Sequence, residues 1–399
     1  MPKYLSQFIP FQLLFLLVFD IYSGPVLSQS YTPGHSVKDT TGYVEYLPGN
    51  LPIVISVPHG GYLQPLDIPR RDCSGCVYNR DLYTQELARS IIDDFYSTTG
   101  CYPHVVINLL HRNRFDANRS IETAADGDPI VEQAWHTYHA FIETAKTQII
   151  SDYDRGLFLD LHGHGHEIQR VELGYRISQS ELQQTDAQLN SSSLIAESGI
   201  QTLVGDNLHS LTHAELLRGP YSLGTLLENK GIPAVPSKPD PFPAGTAAYF
   251  SGGYNTGRHG SEAGGPIDGI QIECHQGIRF DELAREMFAD SLTKSIHEYI
   301  DFHYHEQYIG NYCDLTTVTS ENVENHKIQL YPNPTVGVLY LRSDLGEIDI
   351  DFYNLFGQLV RQLKWQGGPI DLRSLQEGYY QVNFRRNKEI LATQVIIKN

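Results

Sequence analysis

Apolar, β-branched segments alternate with segments of helical periodicity in the middle of the chain, and this alternation constrains the fold most strongly. The strands predicted from it are residues 51–57, 104–110 and 156–161, and the helices are residues 81–96 and 128–150. Strands separated by helices form a largely parallel sheet, so we predict an α/β domain. Ligands of such sheets bind beyond the carboxyl ends of the strands, where functional side chains are therefore expected.

The first residues of the chain have the composition of a targeting segment. Lys3 precedes an apolar run over residues 8–19, and small residues follow over residues 23–28. This order is typical of a signal peptide, and the apolar run is short for a membrane span. We predict a signal peptide over residues 1–28, a linker over residues 29–49, and no membrane span after signal removal.

The last part of the chain changes to short alternating runs without helical periodicity. Residues 348–353, 379–384 and 393–397 alternate apolar and polar side chains between Gly and Asn turns, which predicts a small all-β sandwich. The predicted boundaries are residues 50–315 for the α/β domain, 316–327 for a linker and 328–399 for the β-sandwich.

Charge and cysteine content limit the possible partners and compartments. The chain has 29 Lys and Arg against 47 Asp and Glu, a formal charge of -18, which disfavours nucleic acid as a partner. Cys73 and Cys76 form a Cys-x-x-Cys without the second pair that a zinc knuckle requires. A disulfide is therefore favoured, and its pairing, local or longer-range, stays open.

Histidines follow two of the predicted strands. His59 stands after the first strand, and His162 and His164 stand after the third. Imidazole is a preferred zinc ligand, and a catalytic zinc ion takes three protein ligands and keeps one position open. Asp81, at the start of the first predicted helix, is the predicted third ligand beside His59 and His162, with Glu172 and His164 as alternatives. The sequence thus predicts one zinc ion.

An acidic residue interrupts a late apolar strand. Glu273 lies in residues 269–274, where a carboxylate is costly unless it faces a polar site. We predict that Glu273 is a catalytic general base; the alternative is a structural ion pair.

Arginines cluster after the second predicted strand, in residues 111–119. Arg112, Arg114 and Arg119 lie in this segment with Asn118. Guanidinium groups bind carboxylates in a bidentate manner, so these four residues are predicted to bind an anionic substrate. Arg119 is favoured and is also predicted to act in catalysis.

Four ordered motifs resemble the N-formylglutamate amidohydrolase family. They are Pro-His-Gly-Gly at residues 58–61, Asp-Ala-Asn-Arg at 116–119, Asp-Leu-His-Gly at 160–163 and Gln-Ile-Glu at 271–273. The resemblance spans roughly residues 50–305. It implies a three-layer, zinc carboxypeptidase-like α/β fold with a largely parallel or mixed central sheet, one zinc ion and an acidic general base. Because the predicted export separates this chain from cytoplasmic members, only the reaction type is carried over.

The C-terminal region resembles the sorting domains of type IX secretion. The resemblance rests on residues 330–335, 354–358 and 375–380. It implies a bacterium of the Bacteroidota, type IX secretion machinery as a partner, passage through the periplasm, and secretion or cell-surface display.

These features favour a secreted zinc-dependent hydrolase that cleaves an amide C–N bond. The expected substrate is a small N-acyl amino acid or a peptide-like molecule that bears a carboxylate. Two alternatives remain, a non-catalytic surface binding protein on the same fold and a zinc esterase or deacetylase, because an activated water attacks esters and acetamides as well.

Overall fold

The structure, a computed structural model, describes residues 31–304, 329–331, 335–343, 346–354, 359–386 and 389–398. The chain divides into two compact units, Met1–Asp314 and Leu315–Asn399. The predicted signal peptide, residues 1–28, and the predicted linker, residues 316–327, lie outside the described residues.

The first unit alternates strands and helices along the chain. Its strands are β1 Val37–Lys38, β2 Val44–Leu47, β3 Ile53–Val57, β4 His104–Asn108, β5 Gly156–His164, β6 Val171–Gly174, β7 Ala234–Val235 and β8 Ile267–His275. Its helices are α1 Thr84–Thr99, α2 Ile121–Ala125, α3 Pro129–Tyr153, α4 Gln179–Leu182, α5 Asp186–Leu189, α6 Ser192–Glu197, α7 Gln201–Asp206, α8 His213–Arg218, α9 Leu223–Glu228, α10 Tyr254–His259, α11 Gln276–Arg279 and α12 Glu282–His303.

The strands of the first unit form one mixed sheet. In the described part of the chain it has eight strands, in the order β1-β2-β4-β3-β5-β8-β6-β7. The four central strands, β4, β3, β5 and β8, are parallel, whereas β2 and β6 run antiparallel to their central neighbours. The predicted α/β fold class is confirmed. β3, β4, β5 and β8 end at the same edge of the sheet, and the functional side chains collect there.

Helices cover both faces of this sheet. Alternate residues of β3 show the division, since Ile53 and Ile55 belong to one buried cluster and Val54 belongs to another. The first cluster includes apolar residues of α1 and α12, and the second includes those of α3. Each large apolar side chain buried in this way stabilises the fold by about 1.5–3 kcal/mol.

Three local features differ from the sequence-based expectation. Residues 29–49 were expected to form a linker, but β1 and β2 lie in this range and β2 pairs with β4, because Val44 and Tyr46 are apolar enough to be buried. β5 continues to His164, so the third strand carries its histidines within the strand. α1 begins at Thr84 and not at Asp81, because Tyr83 has a left-handed backbone (φ 66°).

The cysteines of the first unit have separate roles. Cys73 and Cys76 form the local disulfide, one of the two pairings that the sequence left open. Cys101 is also disulfide-bonded, and Cys274 is free and buried in β8. A structural metal at the Cys-x-x-Cys is therefore excluded.

The second unit is all β. Its strands are β9 Gln329–Tyr331, β10 Val338–Arg342, β11 Ile348–Tyr353, β12 Leu359–Trp365, β13 Ile370–Asp371, β14 Gly378–Arg386 and β15 Glu389–Lys398. They form two antiparallel sheets, β13-β10-β9 and β12-β11-β14-β15, around one apolar core that includes Leu339, Ile350 and Val382. The predicted small all-β region is confirmed.

Candidate metal centre

The strand register brings the polar side chains of three strands to one face of the sheet. His162 of β5 is paired with Glu273 of β8, and Glu273 is paired with Glu172 of β6. Side chains of directly paired residues point to the same face, and residues two apart along a strand do so as well. Asp160, His162, Gln271 and Glu273 therefore share one face at the edge where the parallel strands end.

His59, Asp81 and His162 form the centre of this site. Asp81 Oδ2 lies 3.2 Å from His59 Nδ1 and 3.1 Å from His162 Nδ1. The turn before α1 positions Asp81, because its backbone N–H donates to the His59 carbonyl at 3.1 Å. The backbone N–H of Gly163 also donates to Asp81 Oδ2 at 3.1 Å. All three side chains of the cluster are buried.

The far nitrogen of each imidazole is held by a second carboxylate. His59 Nε2 lies 2.7 Å from Asp116 Oδ1, and His162 Nε2 lies 2.8 Å from Asp160 Oδ2. A carboxylate only accepts hydrogen bonds, so these contacts place a hydrogen on both Nε2 atoms. In the neutral rings the lone pair is then on Nδ1, the atom that faces Asp81. Carboxylate–histidine pairs of this kind orient the histidine ligands of metal ions.

These residues fit a zinc ion. Two imidazole lone pairs and a carboxylate oxygen converge on one region, an arrangement of acceptors that a cation stabilises. A tetrahedral zinc ion with ligands at 2.0–2.1 Å separates its donor atoms by about 3.3 Å. The observed separations of 3.1 Å and 3.2 Å match this value. His59, Asp81 and His162 would therefore hold such an ion.

Electrostatics keep the carboxylates of the site ionised. Burial raises the pKa of Asp81, but His59 and His162 outweigh it and hold that pKa well below its usual range. Burial also acts on Asp116, whose pKa is nevertheless held far below the ordinary value by His59 and by Arg112. Arg112 Nε donates to Asp116 Oδ2 at 3.0 Å. Asp81 and Asp116 are therefore ionised, so each can accept a hydrogen bond that orients a histidine or can bind a cation.

Glu273 has the opposite character. Burial raises its pKa to about 8; His162 opposes this shift, and the negative charge of Asp81 adds to it. Gln271 Nε2 donates to Glu273 Oε1 at 2.8 Å, while the Gly253 N–H donates to Gln271 Oε1 at 2.6 Å and fixes the orientation of the amide. Among the described residues, Glu273 Oε2 has no hydrogen-bond partner. Glu273 can therefore exchange a proton at Oε2 near neutral pH.

The predicted substrate-binding residues separate into different environments. Arg112 is buried and forms ion pairs with Asp116 at 3.0 Å and with Asp81 at 3.7 Å, so its guanidinium contacts two carboxylates of the candidate metal centre. Asn118 Nδ2 lies 3.3 Å from His162 Nε2, and Asn118 Oδ1 accepts from the Asn255 N–H at 2.8 Å. Arg119 is half-buried and donates from Nη1 to the Asn118 carbonyl at 2.7 Å. Arg112, Asn118 and Arg119 line the cavity at this centre, whereas Arg114 does not.

The candidate metal centre lies at a cavity of about 780 Å³. The residues that line this cavity include His59, Asp81, His162, Glu273 and Arg119. Phe250 and Phe280, which are 44% and 47% exposed, lie at the cavity and give it an apolar side. The cavity thus has a volume in the range of small-molecule sites and is lined by both arginine and aromatic side chains.

Several functional side chains were missing from the sequence-based prediction of site residues. Asp116 and Asp160 lie within the quoted motifs, so their two-residue spacing from Asn118 and His162 was a usable signal. Gln271 is two residues before Glu273 and hence on its face of β8. Arg279 lines the cavity and donates to the carbonyls of Cys274, Leu82 and His164, and no pattern in the sequence indicated it.

Comparisons with known proteins identify the C-terminal unit. Residues 329–398 match the family model of the secretion system C-terminal sorting domain, which confirms the resemblance predicted from the motifs. A sorting domain of this kind indicates secretion or export to the cell surface. No helix in the described part of the chain combines the length and apolar character needed to cross a membrane.

Solved structures similar to this chain have low sequence identity to it. N-formylglutamate amidohydrolase from Ralstonia eutropha JMP134 is 15% identical, with 64% of this chain and 95% of that chain covered and a TM-score of 0.38. A metallopeptidase candidate from Shewanella denitrificans OS217 is 13% identical, with 67% and 84% covered and a TM-score of 0.30. Zinc-free YNDL is 15% identical, with 65% and 92% covered and a TM-score of 0.29. No curated protein matches the chain.

Proposed function

We propose that this protein is an exported zinc-dependent hydrolase of an amide C–N bond in an N-acyl amino acid or peptide-like substrate that bears a carboxylate. The observation that carries the proposal is the convergence of two Nδ1 atoms on Asp81 Oδ2, with each Nε2 held by a buried carboxylate. A bound zinc ion supplies Lewis acidity, which polarises a carbonyl and makes a water acidic near neutral pH.

The proton transfers are assigned to Glu273. Its Oε2 has no partner among the described residues, and its Oε1 accepts from Gln271, so the carboxyl is oriented with one free oxygen. In its ionised form Glu273 takes a proton from the attacking water, and it then gives that proton to the leaving amine. A pKa near the working pH is the condition under which one carboxyl serves as both base and acid.

Arg119 is assigned to the substrate carboxylate. Its Nη1 donates to the Asn118 carbonyl at 2.7 Å. The remaining N–H groups of the planar guanidinium suit bidentate capture of a carboxylate. Arg112 and Asn118 position the centre, and Arg114 contributes nothing to this assignment.

The C-terminal unit is assigned to type IX secretion. The match of residues 329–398 to a sorting domain and the motifs of this region support that route. It includes the signal peptide over residues 1–28, passage through the periplasm and an origin in the Bacteroidota. Export of a chain truncated before residue 329 in such a host would contradict this assignment.

The test of the proposed activity combines metal analysis with a substrate panel. Purified full-length protein is expected to contain zinc and to cleave members of a panel of N-acyl amino acids, peptides and acyl esters. Glu273→Gln should lower kcat by about 10²–10⁴-fold while zinc content is retained. Glu143→Gln is a suitable control, because Glu143 also contacts a histidine, His259, at 2.9 Å but lies outside the centre.

The outcomes separate the competing functions. Cleavage of esters alone would favour the esterase over the amidohydrolase. A protein that binds panel members without turning any of them over, and whose ligand affinity is unchanged in Glu273→Gln, would be a binding protein and would overturn the proposal.

A further inference from the structure

Two stacked rings line the cavity, and the proposed catalysis uses neither of them. The Phe250 ring lies on the His166 imidazole, with ring centroids 4.6 Å apart and an interplanar angle of 27°. Both residues line the cavity, where Phe250 is 44% exposed and His166 is half-buried. We call this pair the aromatic wall. It offers a ligand an apolar ring surface inside the cavity.

A buried carboxylate holds both members of the aromatic wall. Glu172 Oε1 lies 2.9 Å from His166 Nδ1, and Glu172 Oε2 accepts from the Phe250 backbone N–H at 2.9 Å. Glu172 itself is fully buried and does not line the cavity. The His166 backbone N–H donates to His164 Nδ1 at 3.1 Å, while His164 Nε2 is bound to the Arg170 carbonyl at 2.8 Å. Glu172 and His164 therefore fix the position of the wall.

The backbone beside Phe250 is attached to β6 as well. Tyr249 Oη donates to the carbonyl of Leu173 in β6 at 2.6 Å. The carbonyl of Ser251 accepts from the backbone N–H of Arg176 at 2.6 Å. The wall is thus formed before a ligand arrives, and binding to a preformed surface loses little free energy to ordering.

The sheet places the aromatic wall next to the proposed general base. Glu172 of β6 is paired with Glu273 of β8. In the sheet, β5 and β8, which carry His162 and Glu273, lie between β4 and β6. Arg119 follows β4 along the chain, whereas the wall is attached to β6. A substrate with its carboxylate at Arg119 and its amide at Glu273 can therefore place its acyl group at the wall.

We propose that the aromatic wall binds the acyl group of the substrate and selects large apolar or aromatic acyl groups over formyl and acetyl. This inference rests on the proposed function, which assigns the substrate carboxylate to Arg119. A phenylalanine side chain has about 200 Å² of surface, so the 44% exposed fraction of Phe250 offers about 90 Å² to a ligand. Burial of that area corresponds to a preference of about 10–100-fold. An aromatic acyl group gains further by offset stacking on the ring.

The experiment varies the acyl group alone. The kcat/KM values of the full-length protein are compared for N-formyl-, N-acetyl-, N-hexanoyl- and N-benzoylglycine, since glycine adds no side chain of its own. The wild type is expected to prefer the hexanoyl and benzoyl compounds over the acetyl compound by about 10–100-fold. Phe250→Ala should remove this preference. Phe250→Leu should keep it for hexanoyl and lower it for benzoyl, because leucine supplies apolar surface without a ring.

Tyr221→Ala is the matched control. Tyr221 is also 44% exposed and also stacks on an aromatic ring, that of Phe302, but it does not line the cavity. The preference among acyl groups should therefore be the same in this variant as in the wild type.

A binding measurement separates this inference from the proposed function. The four N-acylglycines are titrated calorimetrically into zinc-loaded Glu273→Gln, so that affinity is measured without dependence on turnover. A wild type that hydrolyses none of the compounds, together with at least about tenfold tighter binding of the benzoyl than of the acetyl compound, would support the wall and contradict the hydrolysis. Affinities for the large acyl groups that are equal to, lower than or as undetectable as those for the small ones overturn the inference. A preference that persists in Phe250→Ala overturns it as well.

Discussion

Asp116 gives the sharpest test of the proposed metal centre because it would act on a bound ion only through His59. Asp116 is fully buried and receives the His59 Nε2 hydrogen at 2.7 Å. In Asp116→Asn the side chain keeps its shape and an oxygen that can accept the hydrogen bond. It loses the negative charge that makes the His59 imidazole a stronger metal ligand. Loss of such an outer partner weakens metal binding by about 10–100-fold, which corresponds to about 1.4–2.7 kcal/mol.

The Asp116→Asn substitution is expected to change two quantities, the zinc affinity and the stability of the zinc-free protein. Arg112 Nε donates to Asp116 Oδ2 at 3.0 Å, so the variant also removes the nearer of the two carboxylates of this buried guanidinium and leaves its longer ion pair with Asp81 at 3.7 Å. That second loss lowers the stability of the zinc-free protein, whereas the loss at His59 lowers zinc affinity. Measuring both quantities separates orientation of the ligand from general damage to the fold.

The assay is competition for Zn²⁺ between the protein and a chromophoric chelator, combined with denaturant unfolding of the zinc-free form. Glu143→Gln is the matched control, since it removes a carboxylate from His259, a histidine outside the centre. A zinc dissociation constant for Asp116→Asn within about twofold of wild type would refute the assignment of His59 as a ligand held by Asp116.

Three further predictions concern the substrate, the packing and the pH dependence of the first unit. Arg119→Lys should raise KM by about 10–100-fold for carboxylate substrates, because the bidentate contact is lost, and should leave KM unchanged for the matching carboxamides. Gly163→Ala should destabilise the fold by about 1–3 kcal/mol in denaturant unfolding, since its Cβ would lie 2.3 Å from the fixed guanidinium of Arg279; Gly165→Ala, which has open space, is the control. Burial raises the pKa of Asp268 from 3.8 to about 6, so the wild type should lose about 3 kcal/mol of stability relative to Asp268→Asn as pH rises from about 3 to about 7, and unfolding curves that stay parallel over this range would contradict it.

The sign of the Asp268 effect follows from which state binds the proton more tightly. The folded state holds it up to about pH 6, whereas the unfolded chain releases it near 3.8. Stability is therefore highest below the unfolded pKa and falls through the interval between the two values. Asn can keep the contacts, since its oxygen still accepts from Ser261 and Leu203 and its amide can donate to Tyr304.

His59 and His162 could be predicted from the sequence, because each follows an apolar run and is itself followed by glycine. Parallel strands end at one edge of a sheet, so His59 and His162 had to come close together. Glu273 was accessible for a similar reason, as an acid in an apolar strand must face something polar. These predictions needed only the strand pattern and the order of the strands.

The position of Asp81 could not be predicted in the same way. The sequence suggested the first turn of a helix, but Asp81 lies in the turn before α1 and reaches the histidines through its backbone bond to His59. The separation of Glu172 from the metal centre depends on the antiparallel register of β6 and β8, strands about ninety residues apart along the chain. Local periodicity contains no information about such a register. The orientation of Arg114 away from the cavity is likewise a property of the folded loop.

The place of β8 in the sheet has a consequence for synthesis of the protein. β8 is the last strand of the first unit along the chain, yet it lies between β5 and β6. A nascent chain can bring His59, Asp81 and His162 together before β8 exists, but it then has two open strand edges and no Glu273. Pairing of this kind closes long loops and is slow. Under the proposed function, catalytic competence therefore depends on one late step, and a fragment cut before residue 267 is expected to show no turnover.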